Sequence, residues 1–309
     1  MDHIENQPPV APVESEPNKD WEHYALFSAV KNALFSLPSR FESSLRVSGV
    51  LATDLFAFNS ALSATIEEQV VLSLNKLRSV WDPAGKYALY DFERRPQTFP
   101  DVVLKASSVA VEPQILLGIE LKGWYVLAKE KEPSFRYKVT PAVCTDADLL
   151  VVVPWALSEV VSGTPKVFAP FVVGAKYAAE HKNWYWQYQR TGSSDKGITL
   201  SEATQNYPVK SDMISDIPVS DSGGNFGRLA RTGILDSYIS ELSSERLVGI
   251  PISAWQRFFS IFTEGSSPEV VIEELDKLAN SIASNKSLTA DVKEVVSAKL
   301  REISGIIES

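Results

Sequence analysis

Cysteine and histidine are scarce in this sequence of 309 residues, and their scarcity excludes several kinds of active site. Cys144 is the single cysteine, so the chain has neither an intramolecular disulfide nor a cysteine-based zinc site. Of the three histidines, His3 and His23 lie in or beside the N-terminal tail, which leaves His181 in the body of the chain. This distribution excludes a histidine-rich metal site and an HNH-type nuclease site, and it disfavours a Ser-His-Asp hydrolase.

The sequence also lacks the fingerprints of nucleotide cofactors, of membrane spans and of secretion. It has no Gly-x-Gly-x-x-Gly, and the glycine-rich stretch at residues 222–231 lacks the Gly-Lys-Ser/Thr ending of a P-loop, so no nucleotide cofactor is indicated. No run of about 18 uncharged apolar residues occurs, so we expect no membrane span. The acidic, proline-rich N-terminus resembles neither a signal peptide nor an Arg-rich transit peptide, so we expect a cytoplasmic protein.

Negative charge is in excess at the two ends of the chain. The formal net charge is −9, of which residues 1–24 carry −5 and residues 264–309 carry −4. The residues between them are neutral overall, and residues 94–138 have a local excess of +3. A neutral body with basic patches can still bind a polyanion, so the charge permits nucleic acid as a partner without requiring it.

Composition and periodicity divide the chain into three parts. Residues 1–24 contain several prolines and acids and few apolar side chains, so we expect a disordered tail. Residues 25–263 form the predicted main domain. Residues 264–309 are a predicted helical extension, with Ser266 and Glu269 at capping-box spacing.

The main domain mixes helical and strand patterns. Residues 25–38 and 63–85 have helical spacing, and the second helix carries an apolar stripe at Ile66, Val70, Leu74, Leu77 and Trp81. Strand-like runs follow at residues 87–92, 101–106 and 114–128, and residues 147–157 predict a buried strand that ends at Pro154. Residues 167–180 fit either a strand or a strand-to-helix passage. The fold class is therefore α/β (α+β), built around a mixed sheet.

Three charged residues occupy unusual positions in these strands. Asp101 opens one run, and Glu120 and Lys122 lie at alternate positions of the next, so the latter two share one face of a strand while Leu121 faces the core. If the two runs pair in antiparallel fashion, Asp101 lies beside Glu120. Two carboxylates in contact repel each other unless a cation or a proton lies between them, and Mg²⁺ prefers carboxylate oxygens.

Pro100-Asp101 followed by Glu120-Leu121-Lys122 resembles the PD-(D/E)XK signature of many type II restriction endonucleases. The resemblance implies an αβββαβ core, here around residues 60–190, and Mg²⁺-dependent hydrolysis of double-stranded DNA. Asp101 and Glu120 would hold the metal, and Lys122 would position the attacking water. Cutting both strands implies a homodimer, for which residues 268–307 are a candidate contact surface.

Many members of this family place a further glutamate on the helix before the sheet. Glu67 is the candidate here, because Val70, Val71 and Leu74 follow it at +3, +4 and +7 and place it toward the buried side of the helix. Glu68 is the alternative, one position nearer to solvent.

Several polar side chains are candidate contacts to DNA. They form two groups, one after the third strand and one in the aromatic stretch at residues 181–190: Lys129, Lys131, Arg136 and Lys138, and Lys182, Gln187, Gln189 and Arg190. For the aromatic stretch we favour a strand that buries Trp184, Trp186 and Tyr188 on one side, since aromatics at period 2 are ordinary core. Asp146 and Asp148 are either further metal ligands or, as we favour, the residues of a turn.

Two other classes of function remain open. One is a structure-specific or repair nuclease on the same core. The other is a non-catalytic DNA-binding or scaffold protein, in which Asp101, Glu120 and Lys122 form only a surface ion-pair array.

Overall fold

The structure is a computed structural model that describes residues 9–49, 52–192, 195–261, 267–286 and 288–308, with the backbone alone for 52–61 and 306–308. Its helices are α1 Tyr24–Phe35, α2 Leu37–Arg40, α3 Ala52–Lys76, α4 Arg78–Trp81, α5 Ala175–Trp184, α6 Asp236–Ser244, α7 Ile252–Ile261, α8 Pro268–Ser284 and α9 Ala290–Glu308. Its main strands are β1 Tyr90–Arg94, β2 Val102–Ala106, β3 Ile115–Tyr125, β4 Leu149–Leu157, β5 Pro165–Val167 and β6 Phe171–Gly174. Four two-residue strands form two small ladders: β7 Ile198–Thr199 with β8 Ile217–Pro218, and β9 Arg246–Leu247 with β10 Ile250–Pro251.

The main sheet is mixed, so the predicted fold class of helices around a mixed sheet is confirmed. Its strand order is β1-β2-β3-β4-β5, with β6 also paired to β4. The strands β1, β2 and β3 form an antiparallel meander, and β4 runs parallel to β3 and antiparallel to both β5 and β6. Every residue of β4 is buried, as expected for a central strand with both faces covered.

Pro154 does not end the fourth strand, contrary to the sequence prediction. The strand continues to Leu157, and Pro154 pairs in register with Trp124 of β3. On its other edge β4 pairs with β6 as far as Val152 and with β5 from Trp155, so Pro154 lies in the gap between the two partners. A proline is tolerated there because no ladder hydrogen bond needs its missing N–H.

Helix α3 packs on the sheet through its predicted apolar stripe. The stripe residues within the helix, Ile66, Val70 and Leu74, are buried. Leu77 and Trp81, which lie beyond the end of the helix, are buried as well. The helix contacts β1 and β3, and at Gly123 of β3 an added Cβ would lie 3.1 Å from the Cβ of Ser63. This close approach brings the middle of the helix over the C-terminal part of β3.

The chain between β3 and β4 differs from the predicted αβββαβ order. Residues 126–148 are all described and contain one 3-10 turn, Pro141–Val143, where an α-helix was expected. Helix α5, which follows β6 in the chain, packs against β4. Residues 167–180 are thus a strand-to-helix passage, one of the two alternatives that the sequence left open.

The aromatic stretch at residues 181–190 is helical, so the predicted strand is wrong. The end of α5 continues into a π-helical turn, Tyr185–Gln189. Trp186 is buried, whereas Tyr188 is 42% exposed, because helical geometry does not keep alternate residues on one side. The alternation of aromatic residues in this stretch therefore does not correspond to a pleated strand.

The N-terminal segment has no regular secondary structure over residues 9–18 but contacts the domain at separate points. Trp184 Nε1 donates to the carbonyl of Pro9 at 2.8 Å, and the Gly174 N–H donates to Glu14 Oε1 at 2.7 Å. Glu16 accepts from Tyr24 and from Lys31. Residues 1–8, the rest of the predicted disordered tail, lie outside the described residues.

The C-terminal helices have a small core of their own. It is formed by buried residues of α7, α8 and α9 and the loop before α9: Ile261, Val271, Leu275, Leu278, Ala279, Ile282, Leu288 and Leu300. Helix α7 contributes Ile252 to the main core and Ile261 to this second one. Ser266 of the predicted capping box lies outside the described residues, and Ser267 is the N-cap of α8. Within the part of the chain that is described, every helix is too short or too polar to cross a membrane.

Candidate active site

Asp101, directly before β2, lies together with Glu120 and Lys122 of the adjacent strand β3, as the sequence predicted. The antiparallel register pairs Val102 with Ile119, which places Asp101 beside Glu120. Lys122 Nζ lies 2.9 Å from Asp101 Oδ2 and 2.8 Å from Glu120 Oε1. Leu121, between the two charged residues of β3, is buried, so the predicted alternation of faces is confirmed.

The backbone around Asp101 is held against the sheet. Leu121 N donates to Asp101 Oδ2 at 3.1 Å, and the Asp101 carbonyl accepts from Arg95 N at 2.7 Å. Pro100 packs against Gly118, where an added Cβ would lie 2.3 Å from Pro100 Cγ and 2.8 Å from Asp148 Oδ1. Only glycine permits this approach, so Gly118 helps to fix the position of Asp101.

Burial strongly changes the acidity of Glu120. Its side chain is 10% exposed, and burial raises its pKa to about 7, the negative charge of Asp101 adding to the rise and the Lys122 ammonium opposing it. Burial also lowers the pKa of Lys122, but Glu120 and Asp101 together outweigh that effect and leave the lysine pKa above its ordinary value. Lys122 is therefore charged at neutral pH, and Glu120 titrates near neutrality.

Glu67 of α3 lies near the same cluster. Burial and then the charge of Asp101 raise its pKa, while Lys122 and the Gly123 N–H act in the opposite direction. Arg94 Nη2 lies 3.8 Å from Glu67 Oε2. Glu68 is exposed, so of the two glutamates that the sequence left open it is Glu67 that faces the strands.

The described residues include no group of three or more histidine, cysteine, aspartate or glutamate side chains arranged to hold a metal ion. The Lys122 ammonium supplies the positive charge between Asp101 and Glu120. The second oxygen of Glu120, Oε2, is buried and has no hydrogen-bond partner among the residues that the structure describes. A buried carboxylate oxygen without a partner carries a desolvation cost that a cation would offset, so Asp101 and Glu120 fit Mg²⁺ by their chemistry.

A cavity of about 200 Å³ opens at these residues. Asp101 and Glu120 line it together with Thr98 and Phe99 and with Val209, Lys210 and Asp212 from a distant part of the chain. The sequence did not reveal this last group. Residues 191–225 have little periodicity, and no local pattern connects them to Asp101.

Asp146 and Asp148 do not join the cluster, in agreement with the favoured prediction of a turn. Asp148 is fully buried and accepts from Thr145 N at 2.7 Å, from Gly118 N at 2.7 Å and from the Tyr207 hydroxyl at 3.2 Å. Asp146 forms an exposed ion pair with Lys176 at 2.9 Å. Asp148 thus closes a turn and supports the strand that carries Glu120.

Lys182 is the one predicted DNA contact that the structure contradicts. Its side chain is 1% exposed, and its Nζ lies 2.7 Å from the carbonyl of Val139 and 3.1 Å from Asp216 Oδ2. Burial lowers its pKa to about 8, although Asp216 acts in the opposite direction. Lys182 therefore stabilises the interior and is not available to a phosphate.

The other predicted DNA contacts lie at or near the surface. Lys129, Lys131, Arg136 and Gln189 are exposed, and Lys138 and Gln187 are half-buried. The Arg190 guanidinium lies 3.8 Å from the centre of the Trp186 ring, and its Nη2 donates to the Asp195 carbonyl at 3.0 Å. These side chains remain predicted contacts.

Comparison with known proteins adds no family to this description. No protein-family model matches the chain, and neither a curated protein nor a solved structure matches it.

Proposed function

We propose that this chain is an Mg²⁺-dependent DNA endonuclease of the PD-(D/E)XK type, and specifically a type II restriction endonuclease. The observation that carries the proposal is the contact of Lys122 with both Asp101 and Glu120 at 2.9 and 2.8 Å. Two carboxylates and a lysine that meet beside a cavity can hold a metal ion and stabilise the charge that develops in phosphodiester hydrolysis.

The roles of the three residues follow from their surroundings. Asp101 and Glu120 would hold the metal, with Glu67 as a further acid nearby. When bound, Mg²⁺ supplies a Lewis acid that neutralises negative charge on the phosphate. Lys122 remains charged because of its two carboxylate neighbours, so it can orient a water molecule and stabilise the charge that develops on the phosphate.

The topology gives partial support. A helix packed on an antiparallel meander, followed by a fourth strand parallel to the third, agrees with most of the order that the family resemblance implies. The α-helix expected between the third and fourth strands is absent from residues 126–148. Helix α5 packs beside β4 in its place, so the family assignment rests on the site more than on the topology.

A restriction endonuclease cuts both strands of a duplex, so we include a homodimer in the proposal. Helices α8 and α9 are the candidate contact surface, as the sequence suggested. Val270 of α8 is 52% exposed and Val295 of α9 is 61% exposed, which gives this surface apolar side chains to bury.

Incubation of several unrelated plasmids with the purified full chain, with Mg²⁺ and with EDTA, tests this proposal. Discrete fragments with Mg²⁺ and intact DNA with EDTA are the expected result, because a sequence-specific enzyme cuts at few positions. Structure-dependent cutting, limited to branched or damaged substrates, would favour the repair-nuclease alternative. Intact DNA under all conditions, from protein shown to be folded by circular dichroism, would favour the non-catalytic alternative.

A further inference from the structure

The distant wall of the candidate active site is a single segment, residues 207–216, which we call the strap. Its N-terminal end is attached to the loop before Asp101. Arg95 Nη1 donates to the carbonyl of Phe99 at 3.1 Å, and Nη2 donates to the carbonyls of Tyr207 at 3.2 Å and Pro208 at 2.7 Å. The Tyr207 hydroxyl donates to buried Asp148. One guanidinium therefore ties the strap to the segment that leads into Asp101.

The C-terminal end of the strap is attached to the interior. Thr140 N donates to the Ile214 carbonyl at 2.8 Å. The Asp216 carboxylate is fully buried and accepts from Lys182 Nζ at 3.1 Å, from Asn183 Nδ2 at 2.9 Å and from Ser201 N at 3.0 Å. With both ends attached, the short stretch between them has a defined position.

That stretch is a tight turn with Lys210 near its tip. Asp212 N donates to the Val209 carbonyl at 2.9 Å, and Val209 N donates to Asp212 Oδ2 at 2.9 Å. Lys210 and Ser211 are the two central residues of this turn, and both are exposed. The turn thus holds the backbone of Lys210 at the cavity that Asp101 and Glu120 line.

The charges around the cavity make Lys210 distinctive. Three carboxylates line the cavity, those of Asp101, Glu120 and Asp212, and Lys210 carries the one ammonium among the lining residues described. The Lys122 ammonium is already shared between Asp101 and Glu120. A phosphodiester that approaches such a site needs a cation that is not already paired with carboxylates.

We propose that Lys210 binds a backbone phosphate of DNA at the candidate active site. The inference rests on the proposed function only in taking DNA as the ligand. It adds a phosphate contact from a segment that lies 90 residues after Glu120 in the chain.

The test is the salt dependence of DNA binding by the full chain in EDTA, where cleavage does not interfere. Fluorescence anisotropy of a labelled duplex gives the slope of log Kd against log salt concentration for the wild type, Lys210→Ala, Lys210→Arg and the control Lys286→Ala. Each phosphate contact contributes about 0.9 to this slope on duplex DNA, so Lys210→Ala should reduce it by about 0.9. Lys210→Arg should keep the wild-type slope, and so should Lys286→Ala, because Lys286 is exposed beyond the end of α8.

An unchanged slope in Lys210→Ala, or no DNA binding by the wild type, would overturn the inference. The melting temperature should be equal in all four proteins, because exposed Lys210 supports no buried contact. Plasmid cleavage with Mg²⁺ separates this inference from the proposed function. Cleavage by the wild type combined with an unchanged slope in Lys210→Ala contradicts the Lys210 contact alone. A reduced slope in Lys210→Ala without any cleavage by the wild type supports the contact and contradicts the proposed nuclease function.

Discussion

Lys122 Nζ bridges Asp101 Oδ2 and Glu120 Oε1, at 2.9 and 2.8 Å, so a single ammonium joins carboxylates from two adjacent strands. The lysine thus occupies the position where the two acids most need a cation. Its presence reconciles two partly buried carboxylates with a stable sheet, and it competes with any other cation that binds there.

Replacing the bridging lysine should therefore increase the effect of Mg²⁺ on stability. In Lys122→Met the two carboxylates have no ammonium between them, so Mg²⁺ should raise the melting temperature by more than it does in the wild type. The variant should also lose activity by about 100- to 1,000-fold, the usual cost of removing a charge-stabilising donor. Differential scanning fluorimetry with Mg²⁺ and with EDTA measures the first effect, and plasmid cleavage measures the second.

Lys176→Met is the matched control, because it removes an ammonium from the exposed pair with Asp146. It should behave as the wild type in both assays. Equal Mg²⁺ effects on the melting temperatures of Lys122→Met and the wild type would contradict the bridging role of Lys122.

The raised pKa of Glu120 predicts a pH dependence of stability in metal-free buffer. The ordinary pKa is 4.5 and the folded value is about 7, so between these values the folded state holds a proton that the unfolded state has lost. The contribution of this group is fully present below pH 4.5 and is lost as the pH rises to 7, by at most about 3 kcal/mol.

Urea unfolding of the wild type and Glu120→Gln at several pH values in EDTA measures this contribution as a difference. The stability of the wild type relative to the variant should fall between pH 4.5 and 7. A difference that stays constant over this range would mean that Glu120 is already charged in the folded state, which would contradict the effect of burial on its pKa.

The buried position of Lys182 predicts a structural and not a DNA-binding role. Lys182→Met leaves the fully buried Asp216 without its cation, and breaking one partner of a buried ion pair costs about 3–5 kcal/mol. The variant should therefore melt at a lower temperature than the wild type. Lys129→Met, which changes an exposed lysine, should leave the melting temperature unchanged. An unchanged melting temperature in Lys182→Met would contradict this structural role.

The contact of Gly118 with Pro100 predicts a strong effect of a single methyl group. In Gly118→Ala the new Cβ would lie 2.3 Å from Pro100 Cγ, so the strands must move apart beside Asp101. We expect a loss of about 1–3 kcal/mol, typical of overpacking, together with reduced cleavage.

Gly305→Ala in α9 is the control, since an added Cβ there meets no atom of the described residues within 4 Å. Alanine is the better helix former, so this variant should gain up to about 1 kcal/mol. Chemical denaturation measures the free energy of unfolding of both variants. Equal stability of Gly118→Ala and the wild type would contradict the role of Gly118 in fixing the position of Asp101.

The sequence predicted the local parts of this fold and missed the non-local ones. The apolar stripe from Ile66 to Trp81 and the alternation around Leu121 are direct consequences of helix and strand periodicity, so both were confirmed. The prediction that the strand ends at Pro154 was wrong because the edge of β4 has a gap between its two partners. The sequence of a single strand does not show such a gap.

The strap shows why part of the site could not be found. Its position depends on Arg95 and on the pair of Lys182 with Asp216, residues that are remote from each other in the sequence. The same pairing explains why Lys182, a basic residue in an aromatic stretch, resembled a DNA contact. Its partner 34 residues later gives no local signal.

The central claim is that Asp101 acts in Mg²⁺-dependent cleavage of DNA, and one comparison tests it most directly. The initial rate of supercoiled plasmid cleavage with saturating Mg²⁺ is measured for the wild type, Asp101→Asn and Asp146→Asn. We predict a loss of at least about 100-fold in Asp101→Asn, because a neutral amide binds Mg²⁺ more weakly than a carboxylate does, and the wild-type rate in Asp146→Asn. An Asp101→Asn protein that cuts as fast as the wild type would contradict the proposed active site.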